Sequence, residues 1–354
     1  EQEARREHHR RARDPADHPP AGGLARGGSL RTHRTSVGAR QRHGVGARSY
    51  ARAVSIEETE QVEGADDIAV TGDDDVERPA SRPGLSPSRA NDFQQCPLLF
   101  RYRVVDRLPE PTSAAAARGT LVHAVLERLF DLPAAQRTLE AARSMLPGQW
   151  RELRERAPQY DELFTDEVDE AAWLGGAGDL LGTYFTLEDP TRLEPESREL
   201  RVRLDLDDGP QLRGIVDRVD VAPNGWVRIV DYKTGRSPRP GYEGHALFQM
   251  RFYAYVLWRT RGVLARLLQL EYLADGQVIR HEPSEAEMAV LEARVRSLWT
   301  SVQEAARTDT WPARPSALCE WCSFSALCPA FGGTPPAVDD DAVERATGVR
   351  PDRP

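Results

Sequence analysis

Lysine is almost missing from this chain. Of its 47 basic residues one, Lys233, is lysine, and all the others are arginine. Wherever positive charge alone suffices, the sequence uses the guanidinium, which keeps its proton at any working pH. A lysine offers a compact ammonium whose pKa shifts when buried. Cysteine is also scarce: four residues in 354 exclude a disulfide scaffold and predict a reducing, intracellular (cytoplasmic) setting. No apolar run reaches the roughly 18 residues of a membrane span, and no apolar stretch of a signal peptide opens the sequence. The only lysine follows Tyr232, so no G-x4-G-K-[ST] phosphate loop exists, and Lys233-Thr234-Gly235 does not fit the K-x-D-G of lysine-adenylating ligases. A net charge of −9 is no basic coat for nucleic acid; such binding would require a local positive groove.

The length suits one large domain or two small ones. Residues 1–50 are rich in Arg, His, Gly and Pro, and Glu57 to Glu77 is strongly acidic. Neither stretch has apolar periodicity, so residues 1–80 read as a disordered extension, and the initial Glu is expected to mark a fragment or an overlong reading frame. Ordered sequence is expected over 81–332, with a Pro- and Asp-rich disordered tail over 333–354. Ser88 is a candidate cap for a short helix broken at Cys96-Pro97. Leu121 to Phe130 reads as a helix with a broad apolar face, and 134–185 as a helical insertion containing Trp150, Tyr160, Leu163 and Trp173. Strands follow at Glu199–Leu206, Gln211–Val221 and Trp226 onward, joined by the turns Asp207-Asp208-Gly209-Pro210 and Pro223-Asn224-Gly225. His245–Trp258 reads as a helix, Leu264–Leu273 as a strand, and Ser284–Ala306 as a capped amphipathic helix. The expected fold is α/β, built as helix, three-stranded meander, helix, strand.

The apolar run Val227, Ile229, Val230 leads to Asp231 and Lys233, which strand geometry points to one face. His123 and Glu127 share a helical face, as do Gln249 and Tyr253. The hairpin brings Asp217, in Gly214-Ile215-Val216-Asp217-Arg218, beside Asp231. Two carboxylates and an imidazole suit Mg²⁺ or Mn²⁺ better than zinc. A lysine beside them can hold or deprotonate a water while the metal stabilises charge on a phosphate. Each residue alone has a plainer reading: a core or surface histidine, or an Asp217 paired with Arg218 or Arg228.

Taken in order, Gly119-x3-His123-x3-Glu127, Gly214-Ile215-Val216-Asp217-Arg218, Asp231-Tyr232-Lys233-Thr234-Gly235 and Gln249-x3-Tyr253 resemble the successive motifs of RecB-like exonuclease domains in the PD-(D/E)XK nuclease superfamily. The resemblance spans Ser86 to Phe331. It implies a restriction-endonuclease-like core and hydrolysis of DNA phosphodiester bonds in repair or recombination. It also implies metal ligation by Asp217, Asp231, His123 and the carbonyl of Tyr232, water handling by Lys233, and a site lined by Gln249 and Tyr253. Glu127 carries over least well. A helicase, if needed, must be a separate chain. An endonuclease on the same fold and a catalytically silent DNA-binding subunit are the rival readings.

Cys319-x2-Cys322-x5-Cys328-Pro329 stands at one end of the ordered stretch and Cys96-Pro97 at the other. Four thiolates can hold zinc or an iron–sulfur cluster. The one-plus-three division resembles the iron–sulfur staple of AddB-type and CRISPR-adaptation nucleases, which implies a 4Fe–4S cluster tying the domain's ends together.

Overall fold

The computed structural model describes residues 82–353. The expected extension over residues 1–80 lies outside them. α1 (Pro87–Gln95) is capped by Ser86, whose hydroxyl accepts from the Arg89 amide. The cap is therefore not Ser88: Pro87 takes the first helical position, where a missing N–H costs nothing. α2 (Pro97–Phe100) runs into a π-helical turn over Arg101–Val105. α3 (Ala114–Leu129) starts at a Ser113 cap, earlier than the apolar pattern suggests, because the run Ala114–Ala117 propagates helix well. The insertion folds as α4 (Leu139–Arg156) and α5 (Glu167–Leu187). α6 (Gly244–Arg261) ends at Gly262 in the left-handed region, and α7 (Glu285–Arg307) begins with a Ser284/Glu287 capping box.

The strands are β1 (Gly84–Leu85), β2 (Ser197–Asp205), β3 (Gln211–Val221), β4 (Val227–Lys233), β5 (Leu267–Tyr272) and β6 (Gln277–His281). β2, β3 and β4 form the expected antiparallel meander. β4 then pairs parallel with β5 through the α6 crossover, and β6 adds antiparallel at the edge. β3 meets β4 only over Arg218–Val221, while its first residues pair with β1. The two strands thus part company at Asp217.

Each face of the sheet has its own core. On one, Val219, Ile229, Leu268 and Leu270 pack with residues of α1, α2, α6 and α7. On the other, Val230, Tyr232 and Leu273 pack with α3, α4 and α5, where Trp150, Tyr160, Phe164 and Trp173 cluster. The tail departs from expectation: Asp340–Thr347 forms α8, with Val343 and Thr347 fully buried. Its eight residues are too few and too acidic to show a pattern, yet Asp339 caps one end and Gly348, left-handed, closes the other. Among the described residues no helix is long and apolar enough to cross a membrane.

Candidate active site

Period-2 geometry does place Asp231 and Lys233 together at the end of β4. Lys233 Nζ lies 2.7 Å from Asp231 Oδ2 and donates to Gln249 Oε1 at 2.8 Å. The Gln249 amide donates in turn to Asp231 Oδ1 and to the Tyr253 hydroxyl, both at 3.0 Å. One turn of α6 separates Gln249 from Tyr253, so the helix delivers both to the strand end. The Tyr253 ring comes close against β3 because position 214 is glycine. A Cβ there would stand 2.6 Å from Tyr253 Cε1.

Tyr232, facing the opposite way, brings in α3. Its carbonyl is 3.0 Å from His123 Nε2, and its amide donates to Asp217 Oδ2 at 2.7 Å. With Nε2–H directed at the carbonyl, Nδ1 faces the carboxylates: 3.5 Å to Asp217 Oδ2 and 3.9 Å to Glu199 Oε1. Neither arginine competes for Asp217. Arg218 and Arg228 pair with Asp220 and Glu188, and Arg218 also donates to the Tyr232 hydroxyl at 2.6 Å.

Glu199 joins the site without any motif in the sequence to announce it. Its donor atom, with those of His123 and Asp217, forms a group all within 4.8 Å of one another. The β2–β3 register runs from Arg198↔Arg218 to Leu200↔Val216 and skips the rung between, Glu199 and Asp217. There Glu199 has φ +44°, in the left-handed region. As a result both strands turn two successive residues toward α3. Arg198 reaches Asp131 and the Glu127 carbonyl, Glu199 and Asp217 reach His123, and Arg218 lies over the Phe130 ring. Glu127 stays outside the group but is close enough to add its charge to Glu199's surroundings.

The site is short of positive charge. Burial and then Asp217 push the Glu199 carboxyl up to about 7. Burial opposes protonation of His123, but Asp217, Glu199 and Asp231 outweigh it and raise the imidazole to about 9. Burial also lifts Asp231 to about 6, against the pull of Lys233, whereas His123 holds Asp217 low despite burial. Burial of Lys233 is more than offset by Asp231, which holds the ammonium above its ordinary pKa. Asp231 stands beside the metal-ligating group with its Oδ2 held by the Lys233 ammonium. A divalent cation fits the donor set of His123, Glu199 and Asp217, because it would keep these crowded carboxylates ionised.

Away from this site, Cys96, Cys319, Cys322 and Cys328 all line one cavity, with all four thiols free. The Cys96 sulfur accepts from the Arg314 amide at 3.5 Å, and that of Cys319 from the Ser316 amide at 3.3 Å. No three of the sulfurs lie within 4.8 Å of one another.

The Gene 69 proteins of Mycobacterium phages D29 and L5 are each 24% identical to the chain, over 277 and 288 residues. Both alignments cover 70% of this chain and 97% of the phage protein. Among solved structures, that of SSO0001 matches with 21% identity and a TM-score of 0.30, covering 53% of this chain and 80% of that one. A family model described as the PD-(D/E)XK nuclease superfamily matches residues 84–329, which takes in both strand ends, α3 and α6. With well over half its length matched, the chain belongs to the PD-(D/E)XK nuclease superfamily.

Proposed function

We propose that the chain is a RecB-like, divalent-metal-dependent DNA exonuclease acting in repair or recombination. The observation that carries this is the meeting of Asp231, Lys233 and Gln249 from one face with His123, Glu199 and Asp217 from the other, at the end of β4. Asp217, Asp231, His123 and Glu199 would hold Mg²⁺ or Mn²⁺, and the Tyr232 carbonyl orients the imidazole and stands ready as a further oxygen donor. The bound cation supplies the charge that offsets negative charge growing on a phosphate under attack. Lys233, a charged donor fixed by Asp231 and Gln249, orients the attacking water and neutralises the phosphate. Gln249 keeps the Lys233–Asp231 pair in register, and Tyr253 holds Gln249. The assay is digestion of end-labelled single- and double-stranded DNA beside a covalently closed circle, with Mg²⁺ or Mn²⁺. An exonuclease degrades the linear substrates and spares the circle. Cutting of the circle would favour the endonuclease reading, and no cutting of any substrate the silent one. In the same assay Asp217→Asn and Asp231→Asn are expected to abolish cleavage while DNA still binds.

The four-cysteine cavity is read as the seat of a 4Fe–4S cluster. Four free thiols around one cavity suit either a cluster or zinc. The one-plus-three division of the cysteines along the chain favours the cluster, since structural zinc more often takes two tight pairs.

A further inference from the structure

Between β4 and α6 the chain crosses the loop 234–243. Both of its ends belong to the candidate site, since Lys233 precedes it and α6 brings Gln249 and Tyr253. The loop is pinned along its length. The Thr234 hydroxyl lies against Gly119 of α3, where a Cβ would stand 3.2 Å from it. The amide and the hydroxyl of Ser237 both donate to Asp275 Oδ2, at 3.0 and 2.8 Å. Arg239-Pro240-Gly241-Tyr242 closes a turn in which the Tyr242 amide donates to the Arg239 carbonyl at 2.9 Å. Pro240 in second place and Gly241 in third, with φ +89°, match a type II turn. The Gly241 amide donates onward to Glu243 Oε2 at 2.9 Å. The hydroxyl of Tyr272, the register partner of Lys233, shows how near these anchors come to the site. Burial raises its pKa first; Lys233 and Asp231 act on it from the site, and Asp275 and Glu243 from the anchors of the loop.

Two side chains on this pinned loop have no task within the fold. Tyr242 is 76% exposed, and its side chain makes no hydrogen bond or ring contact among the described residues. The Arg239 guanidinium is exposed and pairs with no carboxylate among them. The neighbouring charges are engaged: Asp275 and Glu243 hold the loop, and Arg236 acts on Asp275. An arginine in an ion pair must give up a carboxylate before it can take a phosphate, and Arg239 has none to give up. The turn also fixes both residues before a ligand arrives, which lowers the ordering cost of binding.

We propose that Arg239 and Tyr242 form a clamp on the nucleic-acid strand at the rim of the site: the Tyr242 ring stacks on an unpaired base and the Arg239 guanidinium takes the adjoining phosphate. The proposal rests on the nuclease reading and adds to it two residues that position the strand and select its form. Every base has a π-face, but a base paired inside a duplex cannot offer it. The clamp therefore favours single strands over duplex and is indifferent to sequence.

The test separates binding from cleavage. Fluorescence anisotropy of a labelled oligothymidine and of a labelled blunt duplex with G·C ends is followed against salt in EDTA, where no metal-dependent cutting occurs. Tyr242→Ala is expected to bind the oligothymidine about 5- to 10-fold more weakly, the low end for one lost base stack, and the duplex about as well as wild type does. Tyr242→Phe should bind like wild type, because the ring is what stacks. Arg239→Gln should flatten the log–log salt slope for oligothymidine by about 0.7, the share of one single-strand phosphate, and Arg239→Lys should restore it. Gly241→Ala keeps both side chains but strains the turn at its positive φ, so it too should weaken single-strand binding. Wild-type affinity and slope in Tyr242→Ala and Arg239→Gln would overturn the clamp, as would a wild-type chain that does not bind the oligothymidine. An equal loss on duplex would overturn it as well, since the ring would then be reading no unpaired base. Both side chains are exposed, so these variants are expected to fold, and thermal melts matching wild type check this. The clamp and the nuclease reading fail separately. Absence of cutting by the wild-type chain with Mg²⁺ or Mn²⁺ sinks the nuclease reading, whereas cutting by a chain whose Tyr242→Ala variant binds single strands undiminished sinks the clamp alone.

Discussion

At the scale of single residues, Lys233 and Glu199 stand at opposite ends of what a sequence can disclose. Lys233 is legible because the chain has no other lysine and because a strand's period of two puts it beside Asp231. Its ammonium is wedged between Asp231 and Gln249, at 2.7 and 2.8 Å, in a space shaped for one small cation. Lys233→Arg keeps the charge but not that fit. Cleavage is expected to fall by at least ~100-fold while DNA binding persists; a variant within a few-fold of wild type would show that charge alone matters. Glu199 is illegible for the same reason that Lys233 is not. The period-2 rule puts it on the side away from Arg198, and only the left-handed turn at Glu199 brings both toward α3. No local signal in Ser197-Arg198-Glu199-Leu200 announces that turn. Because its folded pKa is raised, Glu199 favours folding below its ordinary value of 4.5 and loses that contribution as pH climbs to about 7. Glu199→Gln should therefore stabilise the metal-free protein above pH 7 while raising the Mg²⁺ concentration needed for half-maximal cleavage on the order of 10-fold. Thermal melts in EDTA and a metal titration check the two halves. An unchanged metal requirement would remove Glu199 from the site.

At the scale of elements, β4 turns Asp231 and Lys233 to one face and Tyr232 to the other, where the sheet carries a buried polar layer. Arg218, Glu188, Gln269 and Glu271 pack there almost without exposure. Arg218 donates to the hydroxyl of Tyr232, whose backbone meets both His123 and Asp217, so this layer steadies from beneath the strand that orients those two side chains. The meander, the α6 crossover and α7 are legible from turns, apolar periodicity and a capping box. β6 is not, because Gln277-Val278-Ile279-Arg280-His281 is short, half polar and only partly buried. Nor is the polar layer, since Glu271 lies in a strand whose neighbours read as plain apolar core. Burial, and then the charge of Glu188, raise the Glu271 carboxyl to about 7. Its folded pKa is above the ordinary 4.5, so its contribution is full below pH 4.5 and is lost as pH rises to 7. Glu271→Gln is expected to melt like wild type at pH 4.5 and to be more stable at pH 8, on the order of 1–3 kcal/mol. Equal stability at both pH values would mean that the carboxylate is accommodated at no cost.

At the scale of the whole described unit, the two ends are already fastened without any cluster. Phe100 stacks on Trp311 with ring centroids 6.1 Å apart, the Tyr102 hydroxyl donates to the Leu327 carbonyl at 2.9 Å, and Arg314 donates to the Gln94 carbonyl at 2.9 Å. The cysteine loop folds tightly on itself: a Cβ on Gly333 would stand 2.3 Å from the Ala326 carbonyl oxygen and 2.7 Å from the Cys328 amide. Spacing in the sequence therefore points to four residues that do line one cavity, but the aromatic clasp around them joins positions some two hundred apart and leaves no local pattern. A cluster added to this clasp closes a very long loop, and loop closure removes more entropy from the unfolded chain the longer the loop is. Anaerobically purified protein is expected to be brown, with about four iron atoms per chain, as one 4Fe–4S cluster on four thiolates requires. Cys328→Ser should lose the colour and lower Tm, yet remain folded on the noncovalent clasp. Gly333→Ala leaves all four thiols in place but forces the loop open, so it should lose iron as well, which separates cavity shape from ligand count. Colourless wild-type protein carrying stoichiometric zinc would overturn the cluster and leave the clasp to account for the closure alone.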